Sequence, residues 1–136
     1  ERGIVVFEHK EEQSARRYKN VITAKMFSND YTLEIAGTVS RARNPLLVEI
    51  NGYETESDLE GYVIIVKNED RPRVIGPFAT ALGDAGVNIA SMKTARKTKG
   101  DIAIMLLNVD NKADDEVLES LSKLDGIVGK PKLLYF

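Results

Sequence analysis

The sequence predicts an α+β chain in two parts: a β-rich first part, then a second part ordered strand-helix-strand-strand-helix-strand. Three observations carry this. Polar and apolar residues alternate through much of residues 21–39, near-continuous apolar runs stand at residues 62–67 and 102–109, and a helically spaced segment closed by glycine follows each run.

Residues 3–8 (GIVVFE) favour a pleated surface and are expected as a strand, whereas 10–20 are charged without an apolar period and are expected as an exposed loop. Residues 21–28 (VITAKMFS) and 31–39 (YTLEIAGTV) alternate on either side of Asn29-Asp30, the pattern of a β-hairpin. Residues 46–50 (LLVEI) form a further strand, closed by the turn pair Asn51-Gly52. The acidic stretch 54–60 is expected to be an irregular linker, dividing the chain into domains at 1–58 and 61–136.

Residues 62–67 (YVIIVK) read as a central strand. Asp70-Arg71-Pro72 reads as a helix start, because proline fits the first helical turn. Val74, Ile75, Phe78, Ala79, Leu82 and Ala85 then recur at helical spacing up to Gly86. Residues 87–96 and 102–109 are strands around a turn at 97–100. Asp114 is placed to cap a second helix carrying Val117, Leu118, Leu121 and Leu124, ended by Gly126, and 127–135 supply a last strand. This β-α-β-β-α-β order is the split βαβ, ferredoxin-like arrangement.

Of 136 residues 43% are apolar and 29% charged, an ordinary globular composition that excludes disorder, collagen and coiled coil as the main architecture. A formal charge of -2 gives no general attraction to nucleic acid or anionic lipid, so neither is expected as a partner. The chain has no cysteine and one histidine, His9, which excludes thiolate chemistry, a zinc finger and a multi-histidine metal site. No apolar run reaches the about 18 residues of a membrane helix and no secretory signal opens the chain, so the cytoplasm is expected. Glu1-Arg2-Gly3-Ile4 lacks an initiator methionine, and the chain is expected to be a piece of something longer.

Catalytic residues are not expected. His9 has no nearby serine to activate, the acidic groups at 54–60 and 114–116 are explained by a linker and a helix start, and no G-x-G-x-x-G or Walker loop occurs. One constellation stands out: Asn68-Glu69-Asp70-Arg71-Pro72 before the first helix, with Gly86-Val87-Asn88-Ile89 after it. A helix start offers unpaired N–H groups to a small carboxylate. Asn68 and Asp70 could bind an ammonium or hydroxyl, and Asn88 could add a third polar contact, together the complement of an α-amino acid. The alternative at this level is that Asp70 serves the helix start and Asn88 a turn.

The runs 66–76 (VKNEDRPRVIG) and 82–92 (LGDAGVNIASM) resemble the ACT domain of the D-3-phosphoglycerate dehydrogenase family. Upstream, Ala36-Gly37-Thr38-Val39 and Val48-Glu49-Ile50-Asn51-Gly52-Tyr53 resemble that family's intervening, or allosteric substrate-binding, domain, a β-rich α/β domain cut near its first helix. The resemblance covers nearly the whole chain. It implies a regulatory module that forms homodimers or homotetramers through its ACT domains and binds L-serine at their interface as feedback effector. NAD and the catalytic residues would belong to upstream domains, with no cofactor in this chain.

On this resemblance Asn68, Asp70 and Asn88 take effector-contacting positions, the last from a partner chain. The backbone after Pro72, at Arg73 and Val74, would receive the carboxylate. Where the family carries glycine this chain has Arg73, which either obstructs the pocket or lends it a charge; the expectation is weakened serine binding, restored by Arg73→Gly. In some relatives an anion binds the first domain, and here Arg41, Arg43 and Lys25 are its candidates, with Arg16, Arg17 and Lys19 also basic. Two alternatives remain: the β portion of an iron–sulfur L-serine dehydratase, whose pattern is Asp-Arg-Phe-Gly, and a stand-alone ACT interaction protein.

Overall fold

A computed structural model describes residues 18, 20–27 and 32–136 and the backbone of 5–11. The chain forms two compact units, Glu1–Leu59 and Glu60–Phe136.

The first unit contains a five-stranded antiparallel sheet in the order β1-β2-β3-β4-β5. Its strands are β1 (Val5–Glu11), β2 (Val21–Phe27), β3 (Thr32–Val39), β4 (Pro45–Ile50) and β5 (Tyr53–Asp58). Two expectations fail here. Lys10 and Glu11 belong to β1 rather than a loop, because the ladder with β2 runs through to the Glu11–Val21 pair. The acidic stretch after Gly52 is not a linker: residues 53–58 are β5, paired with β4. Its charges fall on alternate positions, leaving Glu54, Glu56 and Asp58 exposed while Ser57 is buried, so a period of two underlies what reads as an acidic run. Charged side chains also suit an edge strand, where they discourage further pairing. Asn51 and Gly52 both take positive φ, 49° and 78°, which forms a primed hairpin turn. Asn51 also accepts the Glu34 N–H through its Oδ1 at 2.9 Å, binding that turn to β3. The expected Asn29-Asp30 turn lies outside the described residues, as do Arg16, Arg17 and Lys19.

The second unit is a four-stranded antiparallel sheet in the order β7-β8-β6-β9. It comprises β6 (Tyr62–Glu69), α1 (Ile75–Asp84), β7 (Ile89–Arg96), β8 (Ile102–Val109), α2 (Asp115–Ser122) and β9 (Ile127–Tyr135). Phe78 and Leu82 from α1 and Leu118 and Leu121 from α2 share one core with Ile64, Val66, Met105 and Leu107. Both helices therefore cover the same face of the sheet. Ala103 through Leu107 of the central strand β8 are all buried although they point alternately to the two faces, which accounts for the unbroken apolar run there. No described helix is long and apolar enough to cross a membrane.

Both helix starts correct the reading above. The first helix begins at Ile75, not at Pro72, because Arg73 sits at φ 69°, in the left-handed region that no α-helix admits. Ile75, expected on the core stripe, is 37% exposed, whereas Val74 just before the helix is 1% exposed. At the second helix Asp114 holds the N-cap position, yet its side chain makes no capping hydrogen bond.

Gly126 fixes how closely the turn before β9 approaches the segment before α1. Its φ is 80°, and a Cβ there would stand 2.5 Å from Val74 Cγ2. Gly126→Ala should therefore cost about 2–4 kcal/mol, left-handed strain plus overpacking. Gly129→Ala, at φ 76° with nothing within 4 Å, should cost only about 1 kcal/mol. Arg73→Gly should stabilise by about 0.5–1 kcal/mol, since relief of the left-handed conformation exceeds glycine's entropy. Urea denaturation of the three variants measures all of these.

Candidate functional site

The register of the second sheet sorts the candidate residues to its two ends. Asn68 pairs with Ala103, and Ala103 with Arg96, so the end of β6, the β7–β8 turn and the segment before α1 lie together. Asn88 precedes Ile89, which pairs with Val109 at the opposite end of β8. A strand of this length spans about 20 Å. Within one chain, Asn68 and Asp70 are thus brought together and Asn88 is not.

Asn68 lies within β6 rather than in the loop after it, and is 2% exposed. Its Nδ2 donates to the Glu69 carbonyl at 2.8 Å, while the buried Oδ1 meets no donor among the described residues. An orphaned buried acceptor costs about 1–3 kcal/mol, a cost that an incoming N–H or O–H would relieve.

Asp70 is already engaged. Its Oδ2 accepts the Gly100 N–H at 3.0 Å and Arg96 Nη1 at 2.9 Å, and its own N–H donates to the Asp101 carbonyl at 2.8 Å. The Gly100 amide, and then the Arg96 guanidinium, hold its carboxyl below the usual carboxylate range. Arg71 reaches the other way: Nε donates to Glu69 at 2.5 Å and Nη2 meets Asp125 at 2.8 Å. The hydrogen bond from Arg71 depresses the Asp125 carboxyl, and the two acids push Arg71 upward.

Pro72 and Arg73 are exposed at the turn between these anchors, and Arg73 makes no ion pair among the described residues. Val74 is buried beneath it. Helix α1 has no side-chain cap and no acid in its first turn, so the partial positive charge of the Ile75 and Gly76 N–H groups is unneutralised there, Pro77 having none. Asn88 is exposed, donates through Nδ2 to Asp110 at 2.6 Å and accepts the Asp110 N–H at 3.0 Å through its carbonyl. Sequence reasoning named the loop residues but missed the groups that hold them: Arg96 comes from the end of β7, and Gly100, Asp101 and Asp125 from turns distant in sequence. The basic turn at 97–100 was the visible signal.

The three anion candidates of the first unit do not assemble. Lys25 pairs with Glu34 at 3.2 Å on the β2–β3 ladder. Arg41 and Arg43 are exposed in the turn after Val39, about 17 Å farther along β3. That turn is held by backbone bonds between Ser40 and both Arg43 and Asn44, with Arg43 at φ 65°. Among the described residues no group of three or more His, Cys, Asp or Glu is arranged to hold a metal.

The depressed Asp70 and Asp125 carboxyls stabilise the fold above their unfolded titration, near pH 4, and lose that contribution as pH falls through their lower folded values. Urea midpoints should therefore fall below about pH 4, and Asp70→Asn should lower the neutral-pH midpoint and flatten the acid limb. An unchanged acid limb in the variant would contradict this assignment.

Residues 62–126 match the model of the ACT domain, and residues 1–51 match that of the D-3-phosphoglycerate dehydrogenase intervening domain. The chain is 37% identical to the D-3-phosphoglycerate dehydrogenase of Methanocaldococcus jannaschii, over 84% of this chain and 22% of that protein. It is 38% identical to the enzyme of that name from Archaeoglobus fulgidus, over 94% and 24% respectively. It is also 32% identical to a probable L-serine dehydratase β chain of Bacillus subtilis, over 82% of this chain and 51% of that one. The chain spans about a quarter of the length of the dehydrogenases it matches. It belongs to the regulatory region of the D-3-phosphoglycerate dehydrogenase family, an intervening domain followed by an ACT domain.

Proposed function

We propose that this chain is the effector-binding and self-association module of a D-3-phosphoglycerate dehydrogenase, with L-serine as feedback effector. The observation that carries the reading is the separation of Asn88 from Asn68 and Asp70 along an edge strand. β7 has β8 on one side only, and five consecutive residues, Ala90 to Thr94, are exposed along it. Two identical edges related by a twofold axis pair antiparallel. Such pairing sets the start of one β7, with Asn88, against the end of the other, beside Asp70. The carboxylate of the amino acid meets the free N–H groups at Arg73, Val74 and the start of α1. Its ammonium and hydroxyl meet Asp70, the orphaned Asn68 acceptor and the partner's Asn88.

Regulation then follows from linkage. An effector held by two chains favours the arrangement in which they are paired, and that preference biases domains carried outside this chain. In this reading NAD is held by those domains and not by this chain. The second reading, an L-serine dehydratase β chain, is favoured by the larger share of that relative the chain covers. Assay of the complete protein separates the two: NAD-dependent oxidation of 3-phosphoglycerate, or deamination of serine.

A dimer by light scattering, tightened by L-serine, is the expected result; a monomer with and without serine sinks the reading. Arg73→Gly should tighten binding by calorimetry, because a side chain is removed beside the receiving amides. Mixing Asp70→Asn chains with Asn88→Ala chains should regenerate one intact site per heterodimer. If neither homodimer binds serine and the mixture does, the site is shared.

A further inference from the structure

Three groups converge on Asp70. Asp70 N–H donates to Asp101, and Asp70 Oδ2 takes both the Gly100 amide and Arg96 Nη1. Arg96 is the last residue of β7, the strand with a free edge. Its side chain is 53% exposed, and ion pairs so open to solvent contribute about 0–1 kcal/mol to stability. Stability alone gives little reason for this arrangement. What the arrangement does control is direction: with Oδ2 saturated by the β7–β8 turn, Oδ1 is the oxygen left for a ligand.

We infer that Arg96 is a positioning residue of the effector site, acting through the Asp70 carboxylate to hold residues 69–74 in the shape that receives an amino-acid ammonium. This rests on the amino-acid-binding reading above and adds to it a link from the site to the edge strand. Arg96 does not touch the effector. Its guanidinium fixes the rotation of the Asp70 carboxylate, keeps it ionised and joins it to the end of β7. The charged groups around Asp70 are Arg96 from β7, Lys99 from the β7–β8 turn, and Glu69 and Arg71 on its own segment, with Asp125 facing Arg71 from the turn before β9. Asp101 meets Asp70 through its backbone carbonyl.

The test uses the 136-residue protein carrying Arg96→Gln, Arg96→Lys, Asp70→Asn, or Asp70→Asn with Arg96→Gln. Amide hydrogen exchange without ligand should be about two- to fivefold faster over residues 69–76 in Arg96→Gln, with the core strands unchanged. Titration with L-serine should show roughly tenfold weaker binding in Arg96→Gln and an intermediate loss in Arg96→Lys, which keeps the charge without the planar fork. The double variant should bind no more weakly than Asp70→Asn alone, since both lesions act through one carboxylate. Serine affinity should also begin to fall at a higher pH in Arg96→Gln than in the unaltered protein, a change that a merely structural arginine would not produce. Unchanged loop exchange in Arg96→Gln, or losses that add in the double variant, would overturn the inference. If the unaltered protein fails to bind serine while loop exchange still quickens in Arg96→Gln, the serine reading falls and the positioning role stands.

Discussion

The segment from Glu69 to Val74 is clamped from two sides by side chains of opposite sign, and the shape of the loop before α1 depends on that clamp. Asp70 pulls toward the β7–β8 turn and Arg71 toward the turn before β9. Backbone bonds run parallel to both, Asp70 to Asp101 and Glu69 to Gly126. Neither ion pair is deeply buried, so the clamp sets geometry more than it adds stability. Between the anchors the chain turns through a left-handed residue at 73, buries Val74 and delivers α1 with its first amides unneutralised. Loss of the tight approach at Gly126 would shift Val74 and Arg71 together, because one missing Cβ accommodates both.

A second constraint is the antiparallel register. It places the first helix's two flanking loops at opposite ends of the sheet, so polar residues close in sequence pattern are far apart in one chain. A site needing both ends must draw them from two chains, and the free edge of β7 offers the symmetric way to do so. On the proposed reading the site is therefore shared between two chains. In such a site, binding and association are one equilibrium, and a small ligand can alter the arrangement of much larger attached domains.

The first unit shows how charge misleads when read along the chain. The acidic residues 54–58 read as a linker and are an edge strand, since alternation sends every second side chain outward whatever the net charge. Lys25, Arg41 and Arg43 read as a basic group and are dispersed, because strand pairing gives Lys25 to Glu34 and leaves the arginines in a turn farther along. The elements of the second unit were readable almost throughout. The apolar run in β8 is the direct record of a strand buried on both faces, and Gly86, at positive φ just past α1, records where the backbone leaves that helix.

The sequence by itself determined the order of elements in the second unit and the identity of the polar residues before α1. These depend on periodicity and local backbone preference, which neighbouring residues specify. Only the tertiary structure decided that the helix starts after Arg73, that Asn68 is buried in a strand, and that Asp70 is held by Arg96 and Gly100. Each of those outcomes depends on contacts between residues separated by a strand or more, where the partner is chosen by sheet register and not by spacing along the chain.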